Sequence, residues 1–323
     1  MMINPYNISV SLKKRFCKDF GLPIKIYENE NIFQSRLDVF ENMFQSRTKW
    51  NMFVNNLVDK YNSEQEYLEQ DNKLLDDLID SVKNNEAYLR FNAEDFNKFS
   101  LGKDFNYPDR DIYKDNLVGQ KFISIDLKKA NFQALHHYDP SIFNGASTWE
   151  EYIKRFTIDP IKPLSKHFRQ VMFGALNPKR TTTYEKFLMG QLLKKLISYF
   201  NLPDEQVISF NCDEIVLSYT NDVSIEGVLH VVKNSDLDCH VQVFTLNKLA
   251  KDVYCKEFVF SDNEDEVGTR EYKKVNHLIY PFVARMENKE EPEVNDYYFM
   301  HEGILAKLCE NPLLNNLSYK GRA

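Results

Sequence analysis

Apolar side chains in the first hundred residues recur at helical spacing. Positions 33, 37, 40, 44, 50, 53, 54, 57 and 58 fit one face of a helix over residues 32–61. Phe33-Gln34-Ser35-Arg36 returns eleven residues later as Phe44-Gln45-Ser46-Arg47. That interval is three helical turns, so an unbroken helix carries both copies on one face. Ser63 and Glu66 have the spacing of a capping box, opening a helix with Leu68, Leu75, Leu78, Ile79 and Val82 turned inward. Asn92 is placed to cap a short helix through Phe99. Earlier, residues 22–27 predict a short edge strand with Pro23 near its start. Residues 100–119, with Gly102, Pro108 and Gly119, predict a linker.

The pattern changes after residue 120. Residues 121–126 are apolar, partly β-branched and preceded by Gly119, which predicts a strand. Residues 128–138 return to helical spacing until Asp139-Pro140 stops them. Thr148 and Glu151 predict a capped helix to about residue 156, and another helix runs from about 165 to 174–178. Thr182 and Glu185 predict the cap of a long helix to about 200, with Phe187, Leu188, Leu192, Leu196 and Phe200 as its stripe. Strands at 207–211 and 215–219 flank Cys212-Asp213-Glu214. A helix at 224–233 and a strand at 239–244 follow. This order predicts an α+β core with an antiparallel sheet. Further on, the sequence predicts a strand at 254–260, an acidic loop at 261–266 and a helix at 296–309. Three regions result: a mainly helical 1–119, a core at 120–250 with a helical insertion at about 145–205, and a C-terminal extension at 251–323.

Composition narrows the classes. A chain of 323 residues with 43% hydrophobic positions can bury a sizeable core. There is no apolar run of about 18 residues, so no membrane span is expected. The first 14 residues lack the apolar stretch of a signal peptide. Five cysteines without a CxxC pair read as reduced thiols of a cytoplasmic protein. The net charge is −7, yet residues 161–200 hold eight Lys or Arg and one acid, giving +7 there and −14 elsewhere. A local cationic stretch on an acidic chain marks an anion site or a solvated helix face.

Two stretches carry candidate chemistry. The strand at 121–126 ends in Asp126, and the hairpin 87 residues later presents Asp213 and Glu214. Taken alone, Asp126 reads as a helix cap and Asp213-Glu214 as a polar turn. Together, on neighbouring strands, Asp126 and Asp213 would hold Mg²⁺ (or Mn²⁺), with Glu214 in support. Between them lie Lys166 and Arg169, fit to hold a triphosphate. Phe173, one turn past Arg169, can stack on a base or fill the core. Gly174 leaves room for a close approach.

These residues resemble the palm of the family A DNA polymerases, which is related to the single-subunit phage-type RNA polymerases. Ile125-Asp126-Leu127-Lys128-Lys129-Ala130-Asn131 with the later Asp139-Pro140 is similar to motif A. Arg169-Gln170-Val171-Met172-Phe173-Gly174 is similar to motif B, with Arg169 where the family has its phosphate-binding Lys. Cys212-Asp213-Glu214 is similar to motif C, with Cys in place of the usual His. The match covers about residues 120–245, in the order A, B, C. It implies a polymerase-like palm, a small helical fingers insertion and a thumb-like N-terminal region. It also implies Mg²⁺ on Asp126 and Asp213. Asn131 replaces the Glu of the DNA enzymes and Asn177 replaces the motif B Tyr, so sugar choice is open. Gln133 echoes the RNA enzymes.

The expectation is thus a Mg²⁺-dependent nucleotidyltransferase, a compact template-directed polymerase. Asp126, Asp213 and Glu214 serve as its catalytic acids. Lys166, Arg169, Phe173 and Asn131 contact the nucleotide, and Lys179, Arg180 and Gln133 contact a DNA or RNA primer–template. No membrane is involved. Two readings stand beside it. One is a catalytically inactive, polymerase-like nucleic-acid-binding or accessory protein, which the missing Tyr and Glu favour. The other is a template-independent nucleotide cyclase or oligonucleotide synthase.

Overall fold

The computed structural model describes residues 7–102, 105–108 and 111–313. Helices α1 (Val10–Asp19), α2 (Glu30–Val39), α3 (Glu41–Phe44), α4 (Ser46–Lys60), α5 (Glu64–Lys83) and α6 (Glu86–Ala93) come first. Strand β1 (Lys121–Leu127) is followed by α7 (Ala130–Tyr138), α8 (Trp149–Ile153), α9 (Lys166–Gly174) and α10 (Pro178–Phe200). Then come β2 (Val207–Phe210), β3 (Glu214–Ser218), α11 (Ile225–Lys233), β4 (Cys239–Ala250), β5 (Val253–Ser261), β6 (Arg270–Lys273), α12 (Tyr280–Asn288), β7 (Tyr298–His301) and β8 (Ile304–Lys307). The fold is mixed α+β with an antiparallel main sheet. None of the described helices is long and apolar enough to cross a membrane.

The chain forms two compact units, and all three sequence regions contribute to the first. That unit comprises residues 1–78, 153–172 and 275–323, and the second comprises 79–152 and 173–274. The first unit is mainly helical, with the β7–β8 hairpin, and its core gathers Phe16, Phe33, Trp50 and Phe53 with Leu12, Leu37 and Leu57. The Phe16 ring lies 4.9 Å from Trp50 and 5.3 Å from Phe53. A buried ionic knot ties its distant segments. Asp296, 1% exposed, accepts from Arg36 Nη1 at 2.8 Å and from Arg285 Nε at 2.8 Å.

The second unit holds the six-stranded sheet, in the order β2-β3-β1-β4-β5-β6. One face of the sheet carries a cluster of Phe122, Val216, Phe244, Leu246 and Phe258 under Ile112 and Tyr113. Ile112, only 3% exposed, shows that part of the expected linker packs as core. Residues 103, 104, 109 and 110 of that linker lie outside the described residues.

Several local expectations need correction. The single helix over 32–61 is three helices. Gln45 takes a left-handed φ of 53°, and the Glu41 carboxylate accepts from the Arg47 amide at 2.6 Å, capping α4. The two Phe-Gln-Ser-Arg copies therefore part company: Arg36 enters the ionic knot, while Arg47 bonds Asp38 at 2.7 Å. Residues 22–27 form no strand; Leu22, Ile24 and Ile26 are buried in a non-repetitive segment. Asn92 lies inside α6, which Asn85 caps, and the segment through Phe99 is only the 3₁₀ turn Phe96–Phe99, capped by Asp95. Helix α10 starts at Pro178, where the missing N–H of proline costs nothing, so Thr182 lies inside it. The expected helix at 296–309 is the β7–β8 hairpin. Glu302 and Gly303 both have positive φ, which turns a two-residue loop with the twist of its strands. The strand β6 has no forerunner in the sequence reading.

The Asp296 knot gives a stability prediction. Asp296→Ala leaves two arginines facing a buried void and should destabilise the protein by about 3–5 kcal/mol. Chemical denaturation of variant and wild type checks it; a change below about 1 kcal/mol would mean the knot is not a folding determinant.

Candidate active site

Strand β1 lies between β3 and β4, antiparallel to both. Its apolar, β-branched residues suit a central strand covered on both sides. The register sets Asp126 opposite Glu214 on one side and opposite His240 on the other. Directly opposed residues of antiparallel strands project to the same face. Glu214, Asp126 and His240 therefore form a row across three strands. The tip of the β2–β3 hairpin is Cys212-Asp213, closed by the Asn211 amide donating to the Glu214 carbonyl at 2.8 Å. The Asp213 carbonyl accepts from the Leu127 amide at 2.8 Å. Asp126 and Glu214, 88 residues apart in sequence, thus stand opposite each other at one end of two neighbouring strands, and Asp213 is the next residue, at the hairpin tip.

Glu214 and His240 of the row have defined support. The Glu214 carboxylate accepts from Ser124 Oγ at 2.6 Å, and Lys256 Nζ lies at 3.4 Å from the same oxygen. Lys256 is 5% exposed and sits 4.5 Å over the Phe244 ring. The Tyr113 hydroxyl is pushed up by burial, with the Glu214 charge adding. His240 is held from both sides: Nδ1 contacts Asp262, and Nε2 meets Glu266 at 2.8 Å. Glu266 also accepts from Gln242 at 2.7 Å and Ser261 at 2.8 Å, and hydrogen bonds including these hold its carboxyl below its usual range despite burial. Burial raises the Cys239 thiol to about 12, and the charge of Asp126 contributes.

Behind the hairpin tip, Asn131 of α7 donates to the Glu185 carboxylate of α10. Glu185 is 4% exposed, and its carboxyl is pushed up to about 7. Burial is the main cause; the Asp213 charge adds, and the Asn131 hydrogen bond opposes. An acid from another helix thus lies beside Asn131. Nothing in the spacing of the sequence points to Glu185, which read only as half of a capping box.

The other candidates divide. Lys166 and Arg169 belong to the first unit, while Asp126, Asp213 and Glu214 belong to the second. The +7 segment is not one patch: Lys162 is buried in the first unit, within hydrogen-bonding distance of the Tyr67 hydroxyl at 2.8 Å. Phe173 is 4% exposed and packs on Phe143 and Trp149, so it is core and shows no face to a base. Arg180 donates to the carbonyls of Phe91 and Glu94 at 2.8 and 2.6 Å, with its guanidinium 3.7 Å over the Phe96 ring, so it ties α10 to the segment after α6. Gln133 is likewise engaged, donating to the Lys128 and Asp238 carbonyls and accepting from the Asp238 amide. Lys179 is exposed, and the position beside Gly174 is open. Asn177 donates to Asn92 at 3.0 Å.

Sequence reasoning passed over Lys128 and Lys129 as functional residues. They follow Asp126 directly and line a cavity of about 230 Å³ with Phe132, His136, Ser147 and Trp149. Lys128 pairs with Asp238 at 3.1 Å and Lys129 with Glu150 at 2.6 Å. Among the described residues no three His, Cys, Asp or Glu side chains form a ready metal-ligand set. Comparison with protein-family models, curated proteins and solved structures gives no match.

Glu185 yields a pH prediction. Below its ordinary value of 4.5 the carboxyl is protonated folded or unfolded; between 4.5 and about 7 only the folded chain keeps the proton. Its contribution to stability therefore falls as pH rises through that window and is lost above it. Glu185→Gln keeps an acceptor for Asn131 and removes this slope. The variant should gain on wild type in Tm between about pH 4.5 and about pH 8. Parallel Tm curves for the two proteins would refute the assignment.

Proposed function

We propose that the row around Asp126 is the centre of a Mg²⁺-dependent nucleotidyltransferase of the polymerase type, built on a palm-like sheet. What carries the reading is the register that sets Asp126 against Glu214, with the Asp213 peptide bonded to the next residue of β1. The donor set fits the ion: Mg²⁺ takes one or two carboxylates and fills its remaining positions with water and substrate phosphate, so a site awaiting its triphosphate needs no third protein ligand. Bound there, the metal supplies charge neutralisation and activation of the attacking hydroxyl.

The remaining work belongs to the chain. Asp126 and Asp213 present hard oxygens at the end of a hydrogen-bonded sheet, which limits their reorganisation. Ser124 and Lys256 hold Glu214 in one orientation. Lys128 and Lys129, in the same unit as the acids, are the cations we assign to phosphate, each exchanging a carboxylate partner for a phosphate oxygen. The rival reading is a nucleic-acid-binding protein without chemistry. It is favoured by the engagement of Phe173, Arg180 and Gln133 inside the fold.

Primer extension with Mg²⁺ and mixed triphosphates on DNA and RNA templates separates the two. Asp126→Asn and Asp213→Asn should each lower the rate by at least about 10²-fold, since a metal contributes several kcal/mol to such a transition state. Wild type as inert as both variants on every template would favour the accessory reading.

A further inference from the structure

The acid row leaves one charged surface of the second unit unused. Helix α10 spans 23 residues, or about 34 Å at the usual rise. It carries Lys179, Arg180, Lys186, Lys194 and Lys195 and a single acid, Glu185, which is buried. Of these, Lys179, Lys194 and Lys195 are exposed, so on a chain of net charge −7 the fully exposed charges of α10 are all cationic. Near its C-terminal end, Gln191, Lys194, Lys195 and Ser198 are all exposed and recur at helical spacing, so they form one stripe. With His230 and Val231 of α11 and Asn234, which caps its C-terminus, they border a groove of about 460 Å³.

The groove is organised. Lys195 Nζ donates to the Asn234 carbonyl at 3.3 Å. The Asn234 amide nitrogen donates to the His230 carbonyl at 2.9 Å and lies 3.1 Å from His230 Nε2. Tyr199 is 55% exposed, and its ring centroid lies 5.9 Å from that of His230, inclined by 39°. No carboxylate lines the groove. The nearest acid of α11, Glu226, lies one turn before His230 and outside the lining.

Two lysines one residue apart, beside an exposed aromatic ring with an imidazole next to it, suit a chain of phosphates with accessible bases. Lysine neutralises phosphate without reading sequence, and a tyrosine offers any base a stacking face. A duplex hides its base faces and would leave Tyr199 idle. An acidic peptide would use the lysines alone. We infer that the α10–α11 groove binds single-stranded nucleic acid, with phosphates on Lys194 and Lys195 and a base stacked on Tyr199. The inference does not depend on the acid row performing any chemistry.

The test is fluorescence anisotropy of the full-length protein with a fluorescein-labelled oligothymidylate of about 16 nucleotides. Wild type should bind, with affinity falling as salt rises. Lys194→Ala/Lys195→Ala should flatten the log–log salt slope by about 1.4, two phosphates at about 0.7 each. Tyr199→Ala should weaken binding about tenfold with the slope unchanged. All three positions are exposed on a helix, where alanine is well tolerated, and an unchanged melting curve checks that each variant is folded. Absence of binding, variants that bind as wild type does, preference for a blunt duplex, or binding to phosphatidylserine vesicles but not to the oligonucleotide would each overturn the inference. The readout is binding, so its failure leaves the nucleotidyltransferase reading standing, and a failed extension assay leaves this one standing.

Discussion

The hydrogen-bond register of β1 between β3 and β4 governs everything built on the second unit. A strand alternates faces with every residue, so a slip by one position would exchange Ser124 and Asp126 for Ile123 and Ile125. The carboxylate would then face the wrong side, and the buried Ile123, Ile125 and Leu127 would leave the packing they fill. The loss of that packing is what holds Asp126 in place. The acid is positioned by hydrophobic side chains on the opposite face, not by its own contacts alone.

The row draws together more negative charge than an isolated sheet end would tolerate. Lys256 lies against Glu214, His240 sits between Asp262 and Glu266, and Lys128 joins Asp238. These partners come from β5, from the turn after it and from the segment before β4. Glu214, Asp238, Asp262 and Glu266 are therefore each paired with a group distant in sequence, which is how a rigid scaffold holds a charged constellation within a narrow geometry. Glu185 records the cost of burial: withdrawn from water, with the Asp213 charge adding, its carboxyl is pushed up to about 7.

The basic segment shows charge being redistributed by folding. In sequence, eight Lys or Arg of residues 161–200 make one cationic block. In the fold they have different fates. Lys162 is sealed among aromatic rings, 4.6 Å from the Tyr67 centroid, and Arg180 satisfies two backbone carbonyls. Lys194 and Lys195 stay exposed beside Tyr199, Lys194 lying 5.5 Å over the Phe105 ring and Lys195 donating to the Asn234 carbonyl at 3.3 Å. A cation buried among rings contributes to stability; one that is exposed can exchange a weak partner for a polyanion. The block was a single feature only along the chain.

Much of the second unit was legible because its signals are local. The apolar run ending in Asp126, the paired strands around Asp213 and the long stripe of α10 follow from side-chain period and turn chemistry, which depend on near neighbours. Where a signal was read too locally it failed: Glu41 caps a helix five residues on and breaks the run over 32–61, and Glu302-Gly303 turns a hairpin where helical spacing suggested a helix. By itself the sequence determined most of the elements between residues 121 and 261, the antiparallel sheet and the two acid-bearing strand ends. Only the tertiary structure decided that His240 and Glu214 flank Asp126, that Glu185 answers Asn131, and that Phe173 is core. Those pairings join residues tens of positions apart, and their energies come from register and burial, which no stretch of chain contains alone.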